Sequence, residues 1–202
     1  MRIRLGLSLG VAAAALCCLA IAGAAQAGNV YEINKNATTG GNTYRTLDEL
    51  RDAVDNGRVA FGVGDAIVLH NDDATLTGPL RIQGNGDVTV RSANGQQYTI
   101  RGDENFISVL SNLFTSDLFG LTTNPNLHFD NIRIAEDTTF SGGAITYLTN
   151  SVDRKTLTIS NSEFANTIGS PVVTLQGNVD ATLLNTSIRD NGRLGIASTG
   201  IY

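Results

Sequence analysis

Apolar and polar residues alternate with a helical period in only one part of the chain. Apolar residues recur three and four positions apart between residues 47 and 54. Thr46 and Glu49 precede and open this stretch with the spacing of a capping box, and Asn56-Gly57 ends it. We therefore predict one short amphipathic helix. A helix of this length is not stable alone, so it must pack on an apolar surface.

From Phe61 onward the period changes to two. Short apolar–polar alternations are typical of half-buried strands, and the Gly, Asn, Asp and Ser residues between them are typical of turns. The strand-like runs are residues 66–69, 80–82, 88–90, 98–100, 106–110, 127–134, 144–148, 157–164, 172–175, 181–188 and 194–197. So many short strands predict an all-β fold.

The last third of the chain repeats itself. Three segments share the order apolar, any, Asn, any, any, apolar: residues 129–134, 159–164 and 183–188. If each repeat is one turn of a solenoid, every strand pairs with its copy about 4.8 Å away and alternate side chains form inward apolar ladders. We expect Asn131, Asn161 and Asn185 at a bend, where each amide can bond the Asn of the next turn and nearby backbone groups. The alternative is that the three asparagines are unrelated turn residues.

The N-terminal segment has the features of an export signal. Arg2 and Arg4 precede an apolar run over residues 5–24, and Ala25-Gln26-Ala27 is a small-x-small cleavage pattern. We predict a signal peptide over residues 1–27, with a membrane anchor as the alternative. No later stretch is apolar enough to span a membrane, so we expect no transmembrane segment after cleavage.

The composition of the chain excludes several kinds of site and partner. Both cysteines, Cys17 and Cys18, lie in the predicted signal, so we expect a mature chain without disulfides, thiolate metal sites or cysteine nucleophiles. The formal net charge is −5, which argues against nucleic acid as a partner. The 22 glycines and the absence of tryptophan fit strands joined by polar turns better than a helix bundle.

A tetrapeptide in this sequence resembles a known repeat motif. The GGAI motif of chlamydial-type polymorphic outer membrane protein repeats is matched by Gly142, Gly143, Ala144 and Ile145. Ile188-Arg-Asp-Asn191 resembles the companion FxxN motif, with Ile in place of Phe. Residues 64–102 resemble the opening coils of right-handed parallel β-helices in autotransporter passengers and pectate-lyase-like proteins, and the resemblance covers residues 44–202.

The resemblance implies a fold and a division of the chain. The expected fold class is all-β, a right-handed single-stranded parallel β-helix with a short N-terminal capping helix. We expect a signal peptide (1–27), a cap (28–60) and a β-helix (61–202). The strand pattern runs to the last residues without a polar terminal cap, which solenoids need. We therefore expect either a truncated passenger fragment or an open end that docks on a partner or associates end to end with another copy.

The residues that could carry chemistry do not form a known catalytic pattern. Acidic pairs occur at Asp72-Asp73, Asp103-Glu104 and Glu136-Asp137, where the readings are a calcium site or solvated turns. His70 and His128 have no Ser or Asp nearby in a nucleophile-elbow motif. Two further features each have two interpretations. The tripeptide Arg101-Gly102-Asp103 is either an integrin-binding motif on a loop or a chance match. The strand arginines Arg91, Arg101 and Arg133 are either a ligand-binding patch or exposed side chains whose stems lie along the apolar surface.

From these observations we expect an exported, non-enzymatic, adhesin-like protein without a cofactor. Its location would be extracellular, at the cell surface or outer membrane, or periplasmic, and its partner a cell-surface protein or a glycan. The alternative is a polysaccharide lyase or glycoside hydrolase that acts on acidic polysaccharide, which rests on analogy with the fold alone.

Overall fold

The computed structural model describes residues 28–84, 86–102, 112–115, 125–135, 143–149, 153–165, 172–190 and 196–199. Residues 1–27, predicted as a signal peptide, lie outside this range. In the described part, strands dominate and all named strand pairs are parallel, with one short helix near the N-terminus. The prediction of an all-β chain with one short helix is therefore confirmed.

The strands are short, and most are preceded or followed by a bend. In chain order they are β1 (Val30–Ile33), β2 (Thr43–Tyr44), β3 (Asp65–Leu69), β4 (Asp73–Leu76), β5 (Leu80–Arg81), β6 (Asp87–Ser92), β7 (Tyr98–Gly102), β8 (Asn112–Thr115), β9 (Asn126–Asp130), β10 (Ile132–Ala135), β11 (Gly143–Leu148), β12 (Lys155–Ser160), β13 (Glu163–Ala165), β14 (Val173–Gln176), β15 (Val179–Leu184), β16 (Ser187–Arg189) and β17 (Ile196–Thr199). The helix, α1, spans Leu47–Asp55.

The described strands form three parallel sheets. Sheet 1 has seven strands in the order β15-β12-β9-β6-β3-β1-β2, sheet 2 has the order β16-β13-β10-β7-β4, and sheet 3 the order β17-β14-β11-β8-β5. From β3 onward the chain therefore visits the three sheets in rotation, and each strand pairs with strands three positions away along the chain.

The three sequence repeats lie side by side in register. The first residues of the repeats are Cα partners from one strand to the next, since Phe129 pairs with Ile159 and Ile159 with Leu183. So are the last residues, since Ile134 pairs with Phe164 and Phe164 with Ile188. The sequence pattern placed each repeat inside one strand-like run, residues 127–134, 157–164 and 181–188, with a bend expected at the asparagine. In the structure each run is two strands, one in sheet 1 and one in sheet 2. The break falls at the asparagine, so the apolar residues on both sides of it can face the same interior.

The interior consists of columns of apolar side chains that cross the sheets. Phe129 and Ile159 in sheet 1 and Phe164 in sheet 2 are inaccessible to solvent, as is Tyr147 of sheet 3. Full burial of an aliphatic or aromatic side chain is worth about 1.5–3 kcal/mol. Because short strands bury little individually, this shared core is what makes each of them stable.

The first turn of α1 is capped partly by its own residues. The Thr46 hydroxyl accepts a hydrogen bond from the Glu49 amide at 3.2 Å. The Glu49 carboxylate reaches back as predicted, but it accepts from the Arg45 amide at 2.8 Å, one residue before the N-cap. At the other end, Gly57 adopts a φ of 68° and donates its amide to the Val54 carbonyl, which closes the last turn.

The body supplies the rest of the cap. The buried Asp73 carboxylate, at the start of β4, accepts a hydrogen bond from the Leu47 amide at 3.0 Å. Thr75 accepts one from the Asp48 amide at 3.4 Å. The otherwise unpaired amides at the helix start are thereby satisfied by the surface on which the helix lies. The buried face of α1 is apolar and packs beside β4 and β5: it consists of Leu47, Leu50 and Ala53. Within the described ranges, no helix has the length and apolarity needed to cross a bilayer.

Replacement of Asp73 by Ala should detach the start of the helix. The substitution leaves the Leu47 amide buried without its acceptor, and one such group costs about 1–3 kcal/mol. We expect the free energy of unfolding in urea, followed by circular dichroism, to fall by that amount. The control is Asp52→Asn on the exposed face of the same helix, which should change it little. Equal stability of the Asp73→Ala variant and the wild type would show that the contact does not hold the helix.

Candidate binding surface on sheet 1

The repeated asparagines lie at the corner between sheet 1 and sheet 2. Asn131, Asn161 and Asn185 have φ values of 52°, 51° and 49°. This left-handed backbone region is unfavourable for most residues, whereas Asn tolerates it. The positive φ turns the chain from the last residue of a sheet 1 strand into the first residue of a sheet 2 strand. The expected bend is therefore where the pattern places it.

The amide groups of the three asparagines form a discontinuous chain. Asn185 donates to the Asn161 side-chain oxygen at 3.3 Å, which is the Asn–Asn contact expected between turns. Asn161 instead donates to the Asp130 carboxylate at 2.9 Å. Asn131 donates to the backbone carbonyl of Gln96 at 2.8 Å. Only one of the two expected Asn–Asn rungs is therefore present, and the other amides satisfy a carboxylate and a turn carbonyl.

The described residues of the GGAI motif belong to the core. Gly143 opens β11, where it pairs with Asn112 of β8. Ala144 and Ile145 are inaccessible to solvent, and both of their amides donate to the Val172 carbonyl, at 2.9 and 3.0 Å. Gly142 lies outside the described residues. The motif thus has a structural part in sheet 3, and its side chains are not available to a ligand.

The acidic pair Asp72-Asp73 accepts hydrogen bonds from backbone amides of other elements. Asp73 is buried against the helix start, and the Asp72 carboxylate accepts a hydrogen bond from the Thr99 amide at 2.7 Å. Neither the calcium reading nor the solvated-turn reading predicted these contacts. Asp103-Glu104 and Glu136-Asp137 lie outside the described residues. The described part contains no group of three or more His, Cys, Asp or Glu side chains that could hold a metal ion.

Two columns of polar side chains run across the outer face of sheet 1, and the apolar column between them faces the interior. Neighbours in each column are Cα partners on adjacent strands, about 4.8 Å apart. One column consists of Thr89, His128, Thr158 and Thr182. The other consists of Arg91, Asp130 and Ser160, and it ends at the apolar Leu184 on β15.

Four of the polar side chains at this face form a hydrogen-bonded network, which we call the outer-face cluster: His128, Asp130, Ser160 and Asn161, with Arg91 beside Asp130. The Ser160 hydroxyl donates to the Asp130 carboxylate at 2.6 Å. Because that bond uses its only proton, the Ser160 oxygen must accept from the His128 ring nitrogen Nε2, 3.0 Å away. Ser160 is 8% exposed and His128 is exposed, so the network is anchored in the sheet and reaches solvent through the imidazole.

The network changes the acidity of Asp130. Burial by itself would raise the pKa of this carboxyl, but the hydrogen bonds from Ser160 and Asn161 favour the charged form. The positive potentials of His128 and Arg91 act in the same direction. The net result is a lowered pKa, so Asp130 remains ionised to a lower pH than a free aspartate does.

The cluster contains the residue types of a Ser-His-Asp triad in a different order. In a triad the serine gives its proton to the imidazole, which the carboxylate orients. Here the hydroxyl donates a hydrogen bond to the Asp130 carboxylate, and the imidazole donates one to the hydroxyl oxygen. This arrangement fixes the serine oxygen in place and does not activate it as a nucleophile. The chemistry it favours is hydrogen bonding to a ligand at a preset geometry.

A second imidazole lies near the N-terminal edge of the same sheet. His70, directly after β3, is paired through its ring nitrogen Nε2 with the carboxylate of Glu32 on β1. Both side chains are partly exposed. Arg101, part of the integrin-like tripeptide, is exposed on β7, and Asp103 of that tripeptide lies outside the described residues.

The sequence reading missed the outer-face cluster because it searched for motifs that are local in sequence. The nearest chemical partner of Asp130 is Ser160, 30 positions further on. A usable signal was nevertheless present. Aligning the repeats on their asparagines places Asp130 beside Ser160 and His128 beside Thr158, which are the pairs that the register brings together.

Comparison of the chain with protein-family models, with curated proteins and with solved structures found no match.

The corner asparagines can be tested for their backbone role. Asn161→Ala places an alanine in the left-handed region. Alanine has a β-carbon but no side-chain amide that could bond to the nearby backbone, so the substitution costs roughly 1–2 kcal/mol. Asn161→Gly removes the same amide but tolerates the φ value. We expect the alanine variant to be clearly less stable than the glycine variant in urea unfolding. Asn36→Ala, at an exposed residue without positive φ, should be near neutral. Equal losses for Ala and Gly at position 161 would assign the effect to the amide instead.

The lowered pKa of Asp130 predicts a pH dependence of stability. A carboxyl whose pKa is lower in the folded than in the unfolded chain contributes stability that is fully present above its ordinary pKa of 3.8. This contribution is lost as the pH falls through the folded pKa. We therefore expect the stability difference between wild type and Asp130→Asn to be largest near neutral pH and to shrink in acid. Ser160→Ala, which removes a hydrogen bond to the carboxylate, should weaken the pH dependence. Wild-type and Asp130→Asn stability curves that run parallel through this acid range would contradict the assignment.

Proposed function

We propose that the chain is an exported, right-handed parallel β-helix that acts as a non-enzymatic, adhesin-like protein and binds a glycan on the outer face of sheet 1. The strand order supports the β-helix. A chain that visits three parallel sheets in rotation, and adds each strand next to the one three positions earlier, advances by one layer per circuit. Crossovers between parallel strands of one sheet are right-handed in about 98% of cases, which supports the hand.

Export is supported by the first 27 residues. They combine two early arginines, an apolar run and a small-x-small pattern directly before Gly28. The resemblance of residues 44–202 to passenger repeats of surface proteins points to the same compartment. A location outside the cytoplasm would give the exposed β-face access to polysaccharides and to other cells.

The outer-face cluster is the observation that carries the binding proposal. It places hydroxyl, carboxylate, imidazole and guanidinium groups at strand spacing on a sheet, with Ser160 and Asp130 already oriented by hydrogen bonds. Polar groups that are fixed before binding lose little conformational entropy when a ligand arrives. Sugar hydroxyls both donate and accept hydrogen bonds, and this row of groups offers both functions.

The same face is a poor match for a protein partner. Protein interfaces usually have an apolar or aromatic centre surrounded by a polar rim. In the described part of the chain the large apolar side chains that are exposed are Val30, Val63 and Leu184, and Val30 and Leu184 lie on the outermost strands of sheet 1 or next to them. The centre of the face, around Asp130, is polar. We therefore favour a glycan over a protein.

The proposal is tested by glycan-array binding of the purified full chain, followed by affinity measurements on each glycan that binds. Arg91→Ala and His128→Ala should each weaken binding by about tenfold or more, because a hydrogen bond to a charged group is worth about 1.5–3 kcal/mol and tenfold corresponds to about 1.4. Arg81→Ala is the matched control, since Arg81 is exposed on sheet 3. It should leave the affinity unchanged.

Two results would overturn the proposal. One is the absence of binding to any glycan on the array. The other is a loss of affinity in Arg81→Ala that equals the loss in Arg91→Ala, because binding would then not depend on sheet 1. The lyase or hydrolase alternative is examined in the same preparations with polygalacturonate and alginate in the presence of calcium. Release of cleaved product would replace the non-enzymatic proposal by that alternative.

A further inference from the structure

The residues just before β1 continue its pairing with β3. The Ala66 amide donates a hydrogen bond to the Asn29 carbonyl at 2.9 Å. Gly28, one residue earlier, packs directly on the backbone of Gly64. A β-carbon added at Gly28 would overlap the Gly64 carbonyl group, so the close approach of the two backbones requires glycine at this position. Residue 28 is therefore held against the fold, as a terminal segment is when a sheet ties it down.

A buried carboxylate lies beside this segment. Asp65, the first residue of β3, is 2% exposed. Its two oxygens accept hydrogen bonds from the Asn29 amide at 2.7 Å, from the Gly62 amide at 2.8 Å and from the Tyr31 hydroxyl at 3.4 Å. All three donors are neutral groups. They orient the carboxylate toward the first residues that follow the predicted signal peptide.

Asp65 has no charged partner among the described side chains. Every Lys and Arg after residue 27 is described except Arg193, and none of the described ones forms an ion pair with Asp65. A buried charge is costly unless it is paired as well as hydrogen-bonded. A cation close to the Asn29 amide would complete the arrangement.

Removal of residues 1–27 creates such a cation. Hydrolysis of the Ala27–Gly28 peptide bond by a signal peptidase, with water as the second reactant, leaves a carboxylate on Ala27 and an amine on Gly28 that takes up a proton. An α-amino group has an ordinary pKa of about 8, so it is mostly charged at neutral pH.

The new charge is formed within reach of the carboxylate. Bond lengths keep successive backbone nitrogens at most about 3.7 Å apart. Because the Asn29 nitrogen is 2.7 Å from Asp65 Oδ1, the Gly28 nitrogen lies at most about 6.4 Å from that oxygen. Opposite charges about 4–6 Å apart favour the ionised form of each group.

We infer that the α-ammonium group of Gly28 pairs with the buried Asp65 carboxylate, so that signal removal completes the contact between the start of β1 and β3. The inference rests on the signal cleavage proposed above but not on the glycan-binding face. In the precursor the same nitrogen is a neutral amide, and Asp65 lacks this counter-charge. Processing therefore adds stability that the precursor does not have.

The test is a double-mutant cycle on stability. A chain that begins at Gly28 is compared with one that retains Ala27, each with Asp65 and with Asp65→Asn. Retaining Ala27 restores the neutral amide and moves the ammonium one residue away. In the Asp65 chain it should lower the equilibrium constant for folding, measured in urea, by at least about tenfold, because hydrogen bonds between charged groups are the strong ones. With Asp65→Asn the change should be about twofold or less. Equal effects in the two backgrounds overturn the inference.

A steric variant decides the question if Asp65→Asn does not fold. Gly28→Ala keeps the ammonium but displaces it from its seat on Gly64, so it should move the urea midpoint to a lower concentration. Gly40→Ala is the matched control, because a β-carbon added there meets no atom within 4 Å. It should leave the midpoint nearly unchanged. A Gly28→Ala chain as stable as the wild type would show that the terminus is not seated, and would overturn the inference.

The intact mass of the exported product separates this inference from the proposed function. The full chain is expressed with its own residues 1–27, and mass spectrometry of the product identifies its first residue. We expect Gly28. A product that keeps residues 1–27, or begins elsewhere, overturns both the inference and the proposed cleavage. A product that begins at Gly28 but shows no coupling to Asp65 overturns the inference alone, and leaves export and glycan binding standing.

Discussion

Parallel pairing in register is the constraint on which the rest of this structure depends. Each described strand from β3 onward is too short to bury a core by itself. It pairs with strands that come roughly two to three dozen residues earlier or later in the chain. Register in a sheet with one buried face is specified strongly, because a slip by one residue would turn Phe129 and Ile159 outward. The same register places Asp130 beside Ser160 on the other face. The same strand register therefore determines both which side chains form the core and which polar side chains meet on the surface.

The corners make that alignment possible. A positive φ at Asn131, Asn161 and Asn185 lets the chain leave sheet 1 and enter sheet 2 after a single residue. The intervals between these asparagines differ, yet the pairing on both sides of the corner is kept. Most of the difference in length lies in the connection from sheet 3 to sheet 1, which has six residues between β11 and β12 and two between β14 and β15. The corner also contributes Asn161 to the outer-face cluster, so one residue type serves both the backbone and the surface.

Much of the architecture could be predicted from the sequence because the signals were periodic. The helix over residues 47–55, the strand runs and the pairing of the three repeats follow from spacing alone. The contacts of Asp73 could not be predicted, since its acceptor role toward the Leu47 amide depends on where the helix docks. The outer-face cluster was missed for a related reason: a motif search compares neighbours in sequence, whereas Asp130 and Ser160 become neighbours only after the repeats are stacked.

The deeply buried tyrosines have an optical consequence. The chain has no tryptophan, so its near-ultraviolet absorbance and fluorescence come largely from its five tyrosines. Burial, together with the nearby Asp65 carboxylate, raises the pKa of Tyr31 to about 12, and burial also raises the pKa of Tyr147, whose hydroxyl donates to the Pro125 carbonyl at 2.7 Å. Tyrosinate formation at these two side chains in mild alkali would therefore signal that water has entered the interior. The protein thus carries its own spectroscopic reporters, one in the first strand and one in the middle of the stack.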